Sequence, residues 1–117
     1  MAIMIYALKR DFAVQRAERF FKERRVPFQM VDLKKHLPGE KELLLFARAA
    51  GGVKQLLDMN SAKVKEHPAA YAADDGTVLE YLKQEPSLMH LPFVRDGNRV
   101  LIAPTENELK AFLPENK

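Results

Sequence analysis

The 117 residues contain no cysteine, and that one absence excludes more than any feature the chain possesses. No disulfide, no thiolate nucleophile and no cysteine-ligated metal can be built from it. Glycine is sparse, with five residues, and no glycine-rich phosphate loop occurs. No apolar run approaches the roughly 20 residues that a membrane span requires, so membrane insertion is not expected. The stretch from Met1 to Leu8 is apolar, but Lys9, Arg10 and Asp11 follow at once. That is unlike a secretory signal and reads as the first strand of a cytoplasmic protein. The three histidines, His36, His67 and His90, are scattered without ligand spacing. Neither a metal site nor a bound cofactor is therefore expected.

What remains is ordinary in bulk and uneven in detail. Hydrophobic residues make up 47% and charged residues 30%, as in a soluble globular protein. The length suits one domain over residues 1–117 with a core of its own. Net charge is +3, yet residues 1–35 hold nine Lys or Arg against four Asp or Glu, leaving the remainder slightly acidic. A basic end of this kind reads first as a solvated helix face, with an acidic partner or nucleic acid as alternatives.

Residue periodicity gives an order of elements. Ile3 to Ala7 is a short buried strand. Asp11 is placed to cap a helix in which Ala13, Ala17, Phe20 and Phe21 share one face, with Val14 beside them. Arg24 and Arg25 suit the negative end of that helix, Pro27 stops it, and Phe28 to Leu33 forms a second strand. A strand, a helix and a strand in succession make the two strands parallel. A helical insert over about residues 39–85 follows. Glu40 to Ala50 is a leucine-rich helix ended by Gly51-Gly52. Val53 to Asp58 and Ser61 to His67 read as two short helices, with Asn60 or Ser61 as cap. Asp74-Asp75 starts another, halted before Pro86. Pro92 opens a third strand, Phe93 to Arg95; Asp96-Gly97 is a hairpin turn; Arg99 to Ala103 returns antiparallel. Thr105-x-x-Glu108 is a capping box for a last helix through Leu113.

Within this order, Asp74-Asp75-x-x-x-Leu79-x-x-Leu82-x-x-x-Pro86-x-Leu88-Met89-x-x-Pro92-Phe93-Val94, running into Arg99-Val-Leu-Ile-Ala, resembles the arsenate reductase/Spx family. Met4-Ile-Tyr, Arg16-Ala17 and Val26-Pro27-Phe28 fit the same likeness, which spans about residues 3–113. It implies an α/β, thioredoxin-like fold, β-α-β then β-β-α, with a helical insertion. It also implies that Pro92 is the cis-proline of such folds. In active relatives a nucleophilic cysteine precedes the first helix, where the helix dipole and nearby cations stabilise its thiolate. That position is Asp11 here, and the second cysteine of redox-switch relatives falls on Val14. The arginines that cradle arsenate match Asp58, Leu91 and Ile102. A carboxylate about 4 Å from another anion costs about 4 kcal/mol at an effective dielectric of about 20, so Asp11 opposes oxyanion binding. No residue is assigned as catalytic, and Asp11, Leu91 and Pro92 bound the candidate groove. Asp11 itself reads as an N-cap rather than a catalytic carboxylate.

The resemblance leads to a non-catalytic protein-binding module as the first functional expectation. The Spx branch regulates transcription by binding the C-terminal domain of the RNA polymerase α-subunit, through a surface that includes a glycine matching Gly52. Arg48 lies one helical turn earlier and shares that edge, although helix termination alone also explains Gly51-Gly52. The alternative is a glutathione- or thiol-dependent oxidoreductase-like enzyme in which a bound cofactor supplies the sulfur. Lys9, Arg10 and Arg16 would then attract the carboxylates of that cofactor. An unrelated protein partner is a third expectation, and nucleic acid bound through the basic helix ranks below these.

Overall fold

The structure is a computed structural model and describes residues 3–112. Its sheet is built from β1 (Ile3–Ala7), β2 (Phe28–Asp32), β3 (Phe93–Asp96) and β4 (Arg99–Ile102), in the order β2-β1-β3-β4. β1 runs parallel to β2 and antiparallel to β3, which pairs antiparallel with β4. The helices are α1 (Phe12–Glu23), α2 (Glu40–Ala50), α3 (Ala62–Lys65), α4 (Asp75–Gln84) and α5 (Glu106–Phe112).

Alternation along the strands divides the interior in two. Ile3 and Ile5 of β1 join Val94 of β3 against Ala17, Phe20 and Phe21 of α1 and Leu109 and Phe112 of α5. Tyr6 and Phe93 point the other way, into a larger cluster with Leu43, Phe46, Leu56, Val78 and Leu82 from the insert. Successive residues of a strand face opposite sides, so β1 must be apolar throughout to serve both. Phe46 lies between the Tyr6 ring at 5.0 Å and the Phe93 ring at 4.8 Å. Such aromatic pairs add about 0.5–1.5 kcal/mol each beyond the area they bury.

Most element ends lie where the sequence punctuates them. The Asp11 carboxylate accepts a hydrogen bond from Val14 N at 3.0 Å and starts α1. Gly51, at φ +96°, stops α2, with the N–H groups of Gly51 and Gly52 both donating to the Ala47 carbonyl. The Thr105–Glu108 capping box forms as expected, at 2.8 and 3.2 Å. α5 is described through Phe112, and Leu113 lies outside the described residues.

The segment after α2 differs from expectation. Val53 to Asp58 yields only a 3₁₀ turn over Lys54–Leu56, because Leu57 turns extended and bridges Met89. Hydrogen bonds from Asp58 N to Leu88 O and from His90 N to Leu56 O, each 2.9 Å, frame that bridge. α3 follows Ser61 at the N-cap, whose side chain makes no capping bond, and ends at Lys65 rather than His67. The residue before a proline avoids the helical region, and His67 precedes Pro68. His67 instead accepts from Ala69 N through Nδ1 and opens a 3₁₀ turn over Pro68–Tyr71. A third such turn spans Pro86–Leu88.

Two polar groups are more deeply placed than periodicity suggests. Glu18, 6% exposed on the inner side of α1, is paired by Arg10. The Tyr6 hydroxyl donates to Glu42 Oε2 at 3.3 Å and accepts from Arg95 Nη1 at 3.2 Å. Glu42 also accepts from Gly39 N at 3.3 Å through Oε1, so one carboxylate caps α2 and ties it to the sheet. Burial raises the Tyr6 pKa above its ordinary value; Arg95 opposes the rise and the Glu42 charge adds to it. The native state therefore keeps this proton at a pH where the unfolded chain has lost it. The contribution is intact below about pH 10 and declines as pH rises through the elevated native value. Urea unfolding between pH 8 and 11 should show that decline in the wild type and a shallower one in Tyr6→Phe. Identical slopes for both proteins would contradict it.

Candidate functional site

The end of β1 and the start of α1 bring the chain from Ala7 through Leu8, Lys9 and Arg10 to the Asp11 cap. On the facing side, the chain passes from the turn at Pro86–Leu88 through Met89 to the Leu91–Pro92 peptide bond, which is cis. The Leu57–Met89 bridge draws the insert in as a third wall. Together these segments enclose a groove of about 370 Å³.

Its lining places the expected positions plainly. Asp11, Val14, Asp58 and Leu91 all border the groove. Pro92 is buried behind Leu91. Ile102, the remaining position matched to an arginine, does not border it and packs, partly buried, against the larger core cluster. Arg48 and Gly52 are elsewhere, at the C-terminal end of α2, with Arg48 exposed and Gly52 half-buried.

Charge in the groove is balanced rather than positive. Asp11 and Asp58 contribute two carboxylates, and Lys9 and Lys63 two ammonium groups. Asp58 Oδ1 accepts from Asn60 N at 3.1 Å, and Lys63 Nζ lies 3.4 Å from Ser87 Oγ. Ser61 and Ser87 add polar side chains to the lining, and Leu8, Met89 and Leu91 add apolar ones. Leu91 N donates to Met89 O at 3.0 Å, so this backbone donor is already engaged. Among the described residues no group of three His, Asp or Glu side chains is arranged to hold a metal ion.

Two corrections follow for the expected basic flank. Lys9 reaches the groove, but Arg10 pairs with Glu18 and borders a separate hollow of about 190 Å³ with Met30 and Asp32. Arg16 borders neither, lying with Arg19 and Arg24 farther along α1. Lys63, Ser61 and Ser87 were not anticipated as groove residues. The placement of Asp58 by resemblance was the available signal, because Ser61 and Lys63 follow it within one short turn and helix.

No protein-family model matches the sequence, and no curated protein matches it. Solved structures do match, over nearly the whole chain. An arsenate reductase from Vibrio cholerae superposes with a TM-score of 0.80 at 16% identity, covering 94% of this chain and 97% of that one. A protein from Staphylococcus aureus gives 0.77 at 22% identity, covering 93% and 96%. An arsenate reductase related protein from Brucella melitensis gives 0.72 at 17% identity, covering 96% and 94%. The fold is thus the thioredoxin-like α/β fold of arsenate reductases, and this chain carries it without a cysteine. No helix among the described residues is long and apolar enough to cross a membrane.

The Asp11 carboxylate has a structural task independent of any ligand. Replacing an N-cap Asp by Ala costs about 1 kcal/mol, whereas Asn caps about as well as Asp. Chemical denaturation should therefore show Asp11→Ala destabilised by about that amount and Asp11→Asn close to wild type. Equal loss in both variants would mean that the charge, not the cap, is what the helix uses.

Proposed function

We propose that this chain is a cysteine-less, divergent member of the arsenate reductase/Spx family that works in the cytoplasm by binding a protein, without catalysis of its own. One observation carries the reading: Asp11 borders the groove at the position matched to the family cysteine, its carboxylate engaged by Val14 N. Thiol exchange needs a sulfur that attacks, and arsenate binding needs a cluster of cations. The groove offers no sulfur nucleophile, and its two lysines are offset by two aspartates. An anion approaching such a balanced pocket gains little and meets Asp11 at close range.

The partner that the resemblance favours is the C-terminal domain of the RNA polymerase α-subunit, bound at the far end of α2, with transcriptional regulation as the role. Exposed Arg48 and half-buried Gly52 stand one turn apart there, clear of the groove. Gly52 also has a conformational reason to be glycine, since its φ is +151°. A Cβ at that position would meet only Gln55, at 3.8 Å, so the strain is in the backbone rather than in packing. The purified α C-terminal domain should retain the wild type in a pull-down and lose Arg48→Glu and Gly52→Arg. Gly52→Ala, with the same backbone strain but a short side chain, should still bind. Failure of the wild type to be retained removes the polymerase version.

A second reading keeps the groove active through an added thiol such as glutathione. Lys9 and Lys63 favour it, since two cations in a cleft of about 370 Å³ suit the carboxylates of a small peptide. Asp11 and Asp58 oppose it, as does the engagement of Leu91 N by Met89 O. Titrating glutathione while following the amide resonances of Asp11, Lys63 and Leu91 separates the two. Unchanged resonances at millimolar ligand would dispose of this second reading.

A further inference from the structure

A second charged surface shares no residue with the groove. Arg16, Arg19 and Arg24 of the first helix and its cap, with Glu23 and Glu106, surround a shallow hollow of about 180 Å³ that also touches Phe20. Glu106 comes from the first turn of α5, which packs beside α1. Lys22 and Arg25 are exposed on the same stretch of chain. None of these five cations forms an ion pair among the described residues. Arg10 differs, being held by Glu18.

We propose that this outward face of α1, with the first turn of α5, is a docking surface for an acidic polypeptide segment. Charge complementarity is the first argument, since arginine forks match carboxylates two bonds at a time. Preorganisation is the second. The Arg24 guanidinium sits 3.9 Å from the centre of the Phe20 ring and donates to Phe20 O at 3.3 Å, so these two contacts already hold it against the helix before any partner arrives. From Arg16 to Arg24 the helix rises roughly 12 Å. About four residues of extended chain, at ~3.3 Å each, cover that distance.

The two glutamates distinguish a peptide from a phosphodiester. A nucleic acid presents a charge on every nucleotide and needs an unbroken positive path. Glu23 and Glu106 interrupt that path on the rim of the hollow. A peptide brings separate carboxylates for the arginines and backbone N–H groups that the glutamates can accept. The surface is independent of the polymerase reading, which uses Arg48 and Gly52.

The test uses the full chain and a fluorescein-labelled hexapeptide of alternating Asp and Glu, followed by anisotropy at low salt. Wild type should bind. Arg16→Glu/Arg19→Glu should weaken binding at least tenfold, and the milder Arg16→Ala/Arg19→Ala several-fold, with unchanged circular dichroism. Lys41→Glu/Lys65→Glu, which alters net charge equally on the exposed insert, should bind as wild type does. Three results overturn the proposal: no peptide binding, equal loss in the Lys41→Glu/Lys65→Glu control, or tighter binding of a labelled single-stranded or duplex DNA 12-mer through the same arginines.

Discussion

The fold depends on a central strand that is buried on both faces. β1 gives Ile3 and Ile5 to the α1–α5 side and Tyr6 to the side of the insert. It is paired along both edges, with Ile5 opposite Met30 in β2 and Val94 in β3. A slip of one residue would exchange its two sets of side chains and place the Tyr6 hydroxyl on the wrong side. The Glu42–Tyr6–Arg95 contacts mark the correct register, since they join α2, β1 and β3 at one point. The groove inherits this registration. Leu8, Lys9 and Asp11 follow β1 directly, so the position of the strand fixes where the α1 cap begins.

Local chemistry made most of this architecture legible from the residues. Asp11, Pro27, Gly51 and Asp96-Gly97 are strong stops and starts, and the structure places element ends beside each. Legibility failed between α2 and α4, where apolar residues are frequent but nothing local decides between helix and extended chain. The decision there is made by Leu57 pairing with Met89 across more than thirty residues of sequence, which no local pattern records. Glu18 was obscured for a related reason. The apolar stripe of α1 leaves its position ambiguous, and only Arg10, eight residues earlier, makes burial of that carboxylate tolerable.

The groove was legible in a different way. Asp11, Asp58 and Leu91 reached it through resemblance to a family rather than through spacing, and all three do border it. Ile102 did not, because β4 directs it to the core cluster. Lys9 was expected on the basic flank, whereas Lys63 escaped notice because it matches no position where a family cation is expected. With both lysines on the wall, the expected anion-repelling pocket becomes one of balanced charge.

Having no thiol, the chain keeps only thioethers as oxidisable sulfur. Met89 is buried at the bridge, while Met30 on the sheet edge and Met59 in the insert stand exposed among the described residues. Peroxide would reach those two first and convert them to sulfoxides, a surface change that leaves the cap at Asp11 and both cores in place. In oxidising surroundings this molecule has no thiol to switch, and it would keep its shape.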